Sequence, residues 1–158
     1  MDDSRSDTFR LRRGSTGFHH LGAPPAPGTG PRACRTAWYA AARAAHGQVG
    51  DFAERRYPRN FHTATIDDRG GTHFALFHAS CPLVAFVSGQ HHWYTDEFRD
   101  PPAWAATLDA HGYTVLNASQ LLSPLSESDT SDLSADEWQQ IRYWKPETVG
   151  AVLFNSWD

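Results

Sequence analysis

FHTATIDDRGGTHFALFHASCPLVAFV, residues 61–87, is the stretch that decides the fold. Phe61 to Ile66 is rich in β-branched and aromatic residues and reads as a strand. Asp67-Asp68-Arg69-Gly70-Gly71 is turn chemistry, with glycines available for positive φ. Thr72 to Ala79 returns as a second strand, with Phe74 and Leu76 on one face and His73 and Phe77 on the other. Cys81-Pro82 breaks it. Leu83 to Val87 is apolar at every position, which suits a central strand covered on both faces. The three runs together predict an antiparallel meander.

Helical signals follow. Asp100 is expected to cap a helix over 101–111, with proline at its first position and Trp104, Ala105 and Leu108 on one face. Tyr113–Leu116 reads as a short strand, and Asn117 as the cap of a helical turn. Residues 123–132 are a Ser/Asp/Thr/Pro linker. Ser134 and Glu137 have the spacing of a capping box. The helix it opens, over 134–144, puts Trp138, Ile141 and Trp144 along one side. A last helix over 147–157 carries the stripe Val149, Val152, Leu153 and Trp157. The fold class predicted is α+β: a meander packed on one face by three C-terminal helical segments, with a basic, partly disordered N-terminal arm.

Upstream of Phe61 the pattern is weaker. Residues 1–32 are rich in Ser, Gly, Pro and Arg and read as a disordered basic arm. Residues 33–60 read as an alanine-rich helix ending at Gly47, then a linker. Only Trp38 and Tyr39 give that helix something to bury, so weak docking is expected. The Arg/Ala/Gly/Pro bias resembles bacterial, high-GC usage, and equally suits a start codon called too far upstream. The domain proper is assigned to residues 61–158.

The net charge of −4 conceals a division. Residues 1–60 carry ten Arg and five Asp or Glu, net +5. Residues 61–158 carry three Arg, one Lys and thirteen Asp or Glu, net −9. A basic arm beside an acidic domain follows. No run approaches the ~18 apolar residues of a membrane span, and the N-terminus lacks the apolar core of a secretory signal. The two cysteines, Cys34 and Cys81, suit free thiols in a reducing cytoplasm.

Motifs of catalysis are missing from the sequence: no nucleotide-binding glycine loop, no nucleophile elbow, no HExxH helix. Cys81, with a histidine nearby, lacks a helix N-terminus to activate it. The polar-aromatic run 90–99 is more informative. It sets His91, His92, Trp93, Tyr94 and Phe98 among Asp96, Glu97 and Asp100. Tyr and Trp anchor interfaces, and a field of carboxylates speeds encounter with a cation. The leading expectation is therefore a non-enzymatic, acidic interaction module that docks a basic protein. Its concrete form is a toxin-neutralising, immunity-type protein or a regulatory one, with contacts at Trp93, Tyr94, Asp96, Glu97 and Asp100 and no cofactor.

The alternative starts from nine histidines, five of them at 62, 73, 78, 91 and 92. If His62, His78, His91 and Asp96 converged, they would form a Zn or Fe site for a small metal-dependent enzyme. Direct nucleic-acid binding is not expected. Arg10, Arg12 and Arg13 are few, and the acidic domain would repel the same ligand.

Overall fold

The computed structural model describes residues 8–17, 29–57, 59–88 and 97–157. Its centre is the meander the sequence predicts. Strands β1 (Gln48–Ala53), β2 (Phe61–Asp68), β3 (Gly71–His78), β4 (Leu83–Val87) and β5 (Phe98–Arg99) lie side by side, each antiparallel to the next. A sixth strand, β6 (Thr114–Val115), runs parallel to β4. β3 takes one edge of β4. The other edge is shared, with β5 beside Phe86 and Val87 and β6 beside Leu83 and Val84. Cover on both faces, with Ala85 and Val87 in one core and Val84 and Phe86 in the other, is why β4 is the apolar run of the sequence.

Residues 48–53, expected in a linker, supply β1. Only Val49 and Phe52 of that strand are partly covered, and a register shift lies between Val49 and Asp51. An edge strand needs few apolar positions, so its sequence signal is faint.

The helices divide between the two faces of the sheet. Helix α1 (Pro31–Ala45) covers the first. Its Cys34, Ala37, Trp38 and Ala41 bury against Ile66, Ala75, Phe77, Val84 and Phe86. It is a full layer of the core, and Trp38 is 0% exposed. The left-handed residue at its end is His46, φ 55°, in place of the expected glycine. Gly47 serves another purpose: a Cβ there would stand 2.5 Å from the Asp67 carbonyl. The helix expected over 101–111 packs on this face too, as a 3-10 turn at Ala103–Ala105 and α2 (Ala106–Ala110). Pro102 stands at its N-cap. Asp100 instead accepts from Ala118 N–H at 3.1 Å, capping the neighbouring α3 (Ala118–Leu121).

α3, α4 (Ala135–Trp144) and α5 (Val149–Leu153) cover the second face. There Leu121, Ile141, Val149, Val152 and Leu153 meet Leu76, Ala85 and Val87. Both capping boxes are made, Asn117 with Gln120 and Ser134 with Glu137. Two covered faces follow from β4, whose side chains are apolar whichever way they point.

Residues 8–17 of the basic arm lie against this second face. Leu11 is part of its core, and Arg10 pairs with Asp132 at 2.8 Å. Gly14 N–H, Thr16 N–H and the Thr16 hydroxyl all donate to the Glu137 carboxylate, at 2.8–3.1 Å. Asn60 and Asn155 donate side-chain N–H groups to the Thr16 carbonyl. Buried polar groups are tolerated when each finds a partner, and this junction provides partners for all of these. Among the described residues, no helix is long and apolar enough to cross a membrane.

Candidate functional site

The acidic-aromatic run sits between β4 and β5. Trp93, Tyr94, Asp96 and His91 fall in residues 89–96, outside the described residues. The stem of this connection is defined. Ser88 N–H donates to the Glu97 carbonyl at 2.9 Å, continuing the β4–β5 ladder. Glu97 and Asp100 are exposed on either side of the short β5. Phe98, between them, points inward against Phe154 and closes over Gly150. Alternation along β5 thus buries one ring and presents Glu97 and Arg99 outward.

Beside this stem lies a cleft of about 130 Å³, lined by His73, Phe74, Phe86, Val87, Arg99, Asp100 and Pro102. Pockets for drug-sized ligands run from roughly 300 Å³, so this one has room for a single side chain. His73 is held by two contacts. Its Nε2 meets Asp68 Oδ2 at 2.9 Å, and its ring stands edge-on to Trp104 with centroids 5.3 Å apart. Asp68 also accepts from Gly70 N–H at 2.7 Å. Burial pushes the Asp68 carboxyl up, but bonds from His73, Gly70 and Trp104 outweigh this and hold it below its ordinary value. By sequence pattern Asp68 belongs to the turn and His73 to the strand that follows. Hairpin register could have joined them: Asp68 pairs with Gly71, so His73 is its diagonal neighbour on the same face.

His62 and His78 do not come together. Phe61 pairs with His78 and His62 with Phe77, so the two imidazoles leave opposite faces of the sheet. His62 stacks on Phe52 on the α1 side. His78 lies against Phe154 on the other. Each is tied into the backbone at both nitrogens. His62 Nδ1 accepts from Arg55 N–H at 2.9 Å, and its Nε2 faces the Thr29 carbonyl at 3.4 Å. His78 Nδ1 accepts from the N–H groups of Ser80 and Cys81, and its Nε2 donates to the Ser15 carbonyl at 2.7 Å. Donors at Nδ1 place the proton of each ring on Nε2 and make both rings neutral tethers. Among the described residues, no three His, Cys, Asp or Glu side chains gather as a metal-binding group. Burial raises the Cys81 thiol to about 11, with Arg12 and Glu137 pulling in opposite directions, so it stays protonated at neutral pH.

His62 makes the protein acid-sensitive. Burial disfavours its charged form and lowers its pKa from 6.5, the Thr29 carbonyl opposing this in part. The unfolded chain therefore takes up this proton at a higher pH than the folded one. The stabilisation from a neutral His62 is whole above about 6.5 and drains as pH falls toward the lowered folded value. Urea midpoints measured from pH 7.5 to 5 are expected to fall, and His62→Gln to flatten that decline. An unchanged decline in His62→Gln would assign the acid sensitivity to other groups.

No protein-family model, curated protein or solved structure matches the chain.

Proposed function

We propose that this protein is an acidic, cytoplasmic interaction module that docks a basic protein partner, with toxin neutralisation of the immunity type or regulation as its concrete role. The supporting observation is the stem at Ser88 and Glu97. It fixes both ends of a segment that carries Trp93, Tyr94 and Asp96, and it flanks that segment with exposed Glu97 and Asp100. Next to it, the cleft between Phe86 and Asp100 has the size of one side chain and a carboxylate at its rim. Large rings supply the desolvated contact, and the carboxylates steer the approach of a cation.

A photo-cross-linker placed at Glu97 tests this in cells. The expected result is covalent capture of a protein of opposite net charge. The double variant Trp93→Ala/Tyr94→Ala should then bind that protein at least about thirtyfold more weakly, as loss of a hot spot requires. Capture of acidic proteins only, or wild-type affinity in the double variant, would remove the proposal.

A further inference from the structure

The fold assembles a second charged surface, of opposite sign, that the linear order of the chain obscures. Helix α1 buries Cys34, Ala37, Trp38 and Ala41. Its outer stripe is therefore Arg32, Arg35, Tyr39 and Arg43, all exposed. Arg32 and Arg43 are eleven residues apart, which spans about 16 Å of helix. The β1–β2 connection lies alongside, joined to α1 by the Arg35–Glu54 pair, and adds Arg55, Arg56 and Tyr57, all exposed. His62 couples the two segments: it accepts from Arg55 N–H, faces the Thr29 carbonyl just before α1, and feels the charges of Glu54, Arg55 and Arg35.

Within residues 31–57 this surface carries five arginines against Asp51 and Glu54, and Glu54 is taken by Arg35 at 3.5 Å. One of the cations is braced on a ring. The Arg35 guanidinium stands 4.9 Å above Phe52, whereas that of Arg59, 5.9 Å from Phe61, belongs to the other face of the sheet. Bracing of this kind fixes the Arg35 guanidinium, which gives Nη2 to Glu54 and keeps further N–H groups for a ligand. Tyr39 and Tyr57 are 52% and 75% exposed among the arginines. Like charges crowded on one face oppose folding, and large exposed rings add nothing to the core.

We infer that this surface, formed by α1 and the β1–β2 connection, binds single-stranded nucleic acid. Arginine forks match phosphate oxygens, and the only Lys of the chain, Lys145, lies elsewhere. The tyrosines decide between polyanions. A stretch of unpaired bases offers faces to stack on exposed rings, which an acidic peptide does not. Duplexes hide those faces. Arg10, Arg12 and Arg13 lie elsewhere in the chain, whereas α1 and the β1–β2 connection gather five exposed arginines with a net positive charge.

Fluorescence anisotropy of the full chain with a labelled single strand of about 12 nucleotides tests the inference. Binding is expected at about 50 mM salt and is expected to weaken steeply by about 200 mM. Arg32→Gln/Arg35→Gln/Arg56→Gln should reduce the slope of log affinity against log salt by about 2, the loss of three phosphate contacts on a single strand. Tyr39→Leu/Tyr57→Leu should weaken binding about tenfold or more, with the slope unchanged. All five residues are exposed, so both variants should melt as the wild type does, which separates lost binding from lost folding. The inference is overturned by no anisotropy change at low salt, by an arginine variant that binds as the wild type, by equal affinity for a duplex, or by a glutamate-rich peptide that competes as well as the strand. The last outcome would assign the surface to an acidic protein.

Discussion

Replacing Glu137 by alanine is expected to destabilise the protein by about 4 kcal/mol, because several buried donors lose their acceptor at once and each costs roughly 1–3 kcal/mol when left unpaired. Glu137 is 0% exposed. Its two oxygens accept from Gly14 N–H, Thr16 N–H, the Thr16 hydroxyl and Ser134 N–H. For a chain of this size the melting temperature should drop on the order of 10 °C. Glu137→Gln keeps one oxygen but turns an NH₂ toward N–H donors, so it should also lose stability, by less. Limited trypsin digestion adds a local readout. Arg12 and Arg13 adjoin the segment that Glu137 holds, so cleavage there should accelerate in both variants. Wild-type melting and wild-type digestion in Glu137→Ala would mean the arm contributes nothing to the fold.

The second large effect is expected at Trp38. Its indole N–H donates to the Thr65 carbonyl at 2.9 Å, and its ring meets Phe77, Phe86 and Trp104 with centroids 5.7, 6.1 and 5.9 Å away. Truncating a buried Trp costs roughly 3–5 kcal/mol, from lost transfer energy plus the cavity left behind. Trp38→Ala also leaves the Thr65 carbonyl without this donor on strand β2. Trp38→Phe should recover part of the packing but not the hydrogen bond. Denaturant unfolding followed by circular dichroism measures both. A loss below about 1 kcal/mol in Trp38→Ala would return α1 to the loosely docked helix that its alanine content suggests.

The parts of the fold written in periodicity were legible. Phe61–Val87 gives the meander through β-branched and aromatic content in β2, alternation in β3 and the unbroken apolar run of β4. Ser134 and Glu137 give the start of α4 through spacing alone. What periodicity does not carry stayed hidden. β1 has two covered apolar positions and a register shift, too little for a strand signal. The arm at residues 8–17 is held chiefly by polar bonds to Glu137, Asn60, Asn155 and His78, which are more than forty positions away in sequence. Contacts of that kind leave no local pattern. The division of helices between two faces was latent in β4, but nothing in a helix's own stripe says which face it will cover.

The sites follow the same rule. The acidic-aromatic connection was legible as composition, and the fold adds its stem at Ser88 and Glu97. The Asp68–His73 pair needed only the hairpin register. That same register separates His62 from His78, a result that strand parity alone left open. The arginine surface needed the docking of α1, because its cations come from two segments that only the fold sets side by side.

The rate at which the full chain associates with the cross-linked partner, measured at about 50 and about 500 mM salt, probes the docking mechanism most directly. Steering by carboxylates predicts a fall of at least about tenfold between the two conditions, with the dissociation rate little changed. An association rate that stays flat across that range would contradict it.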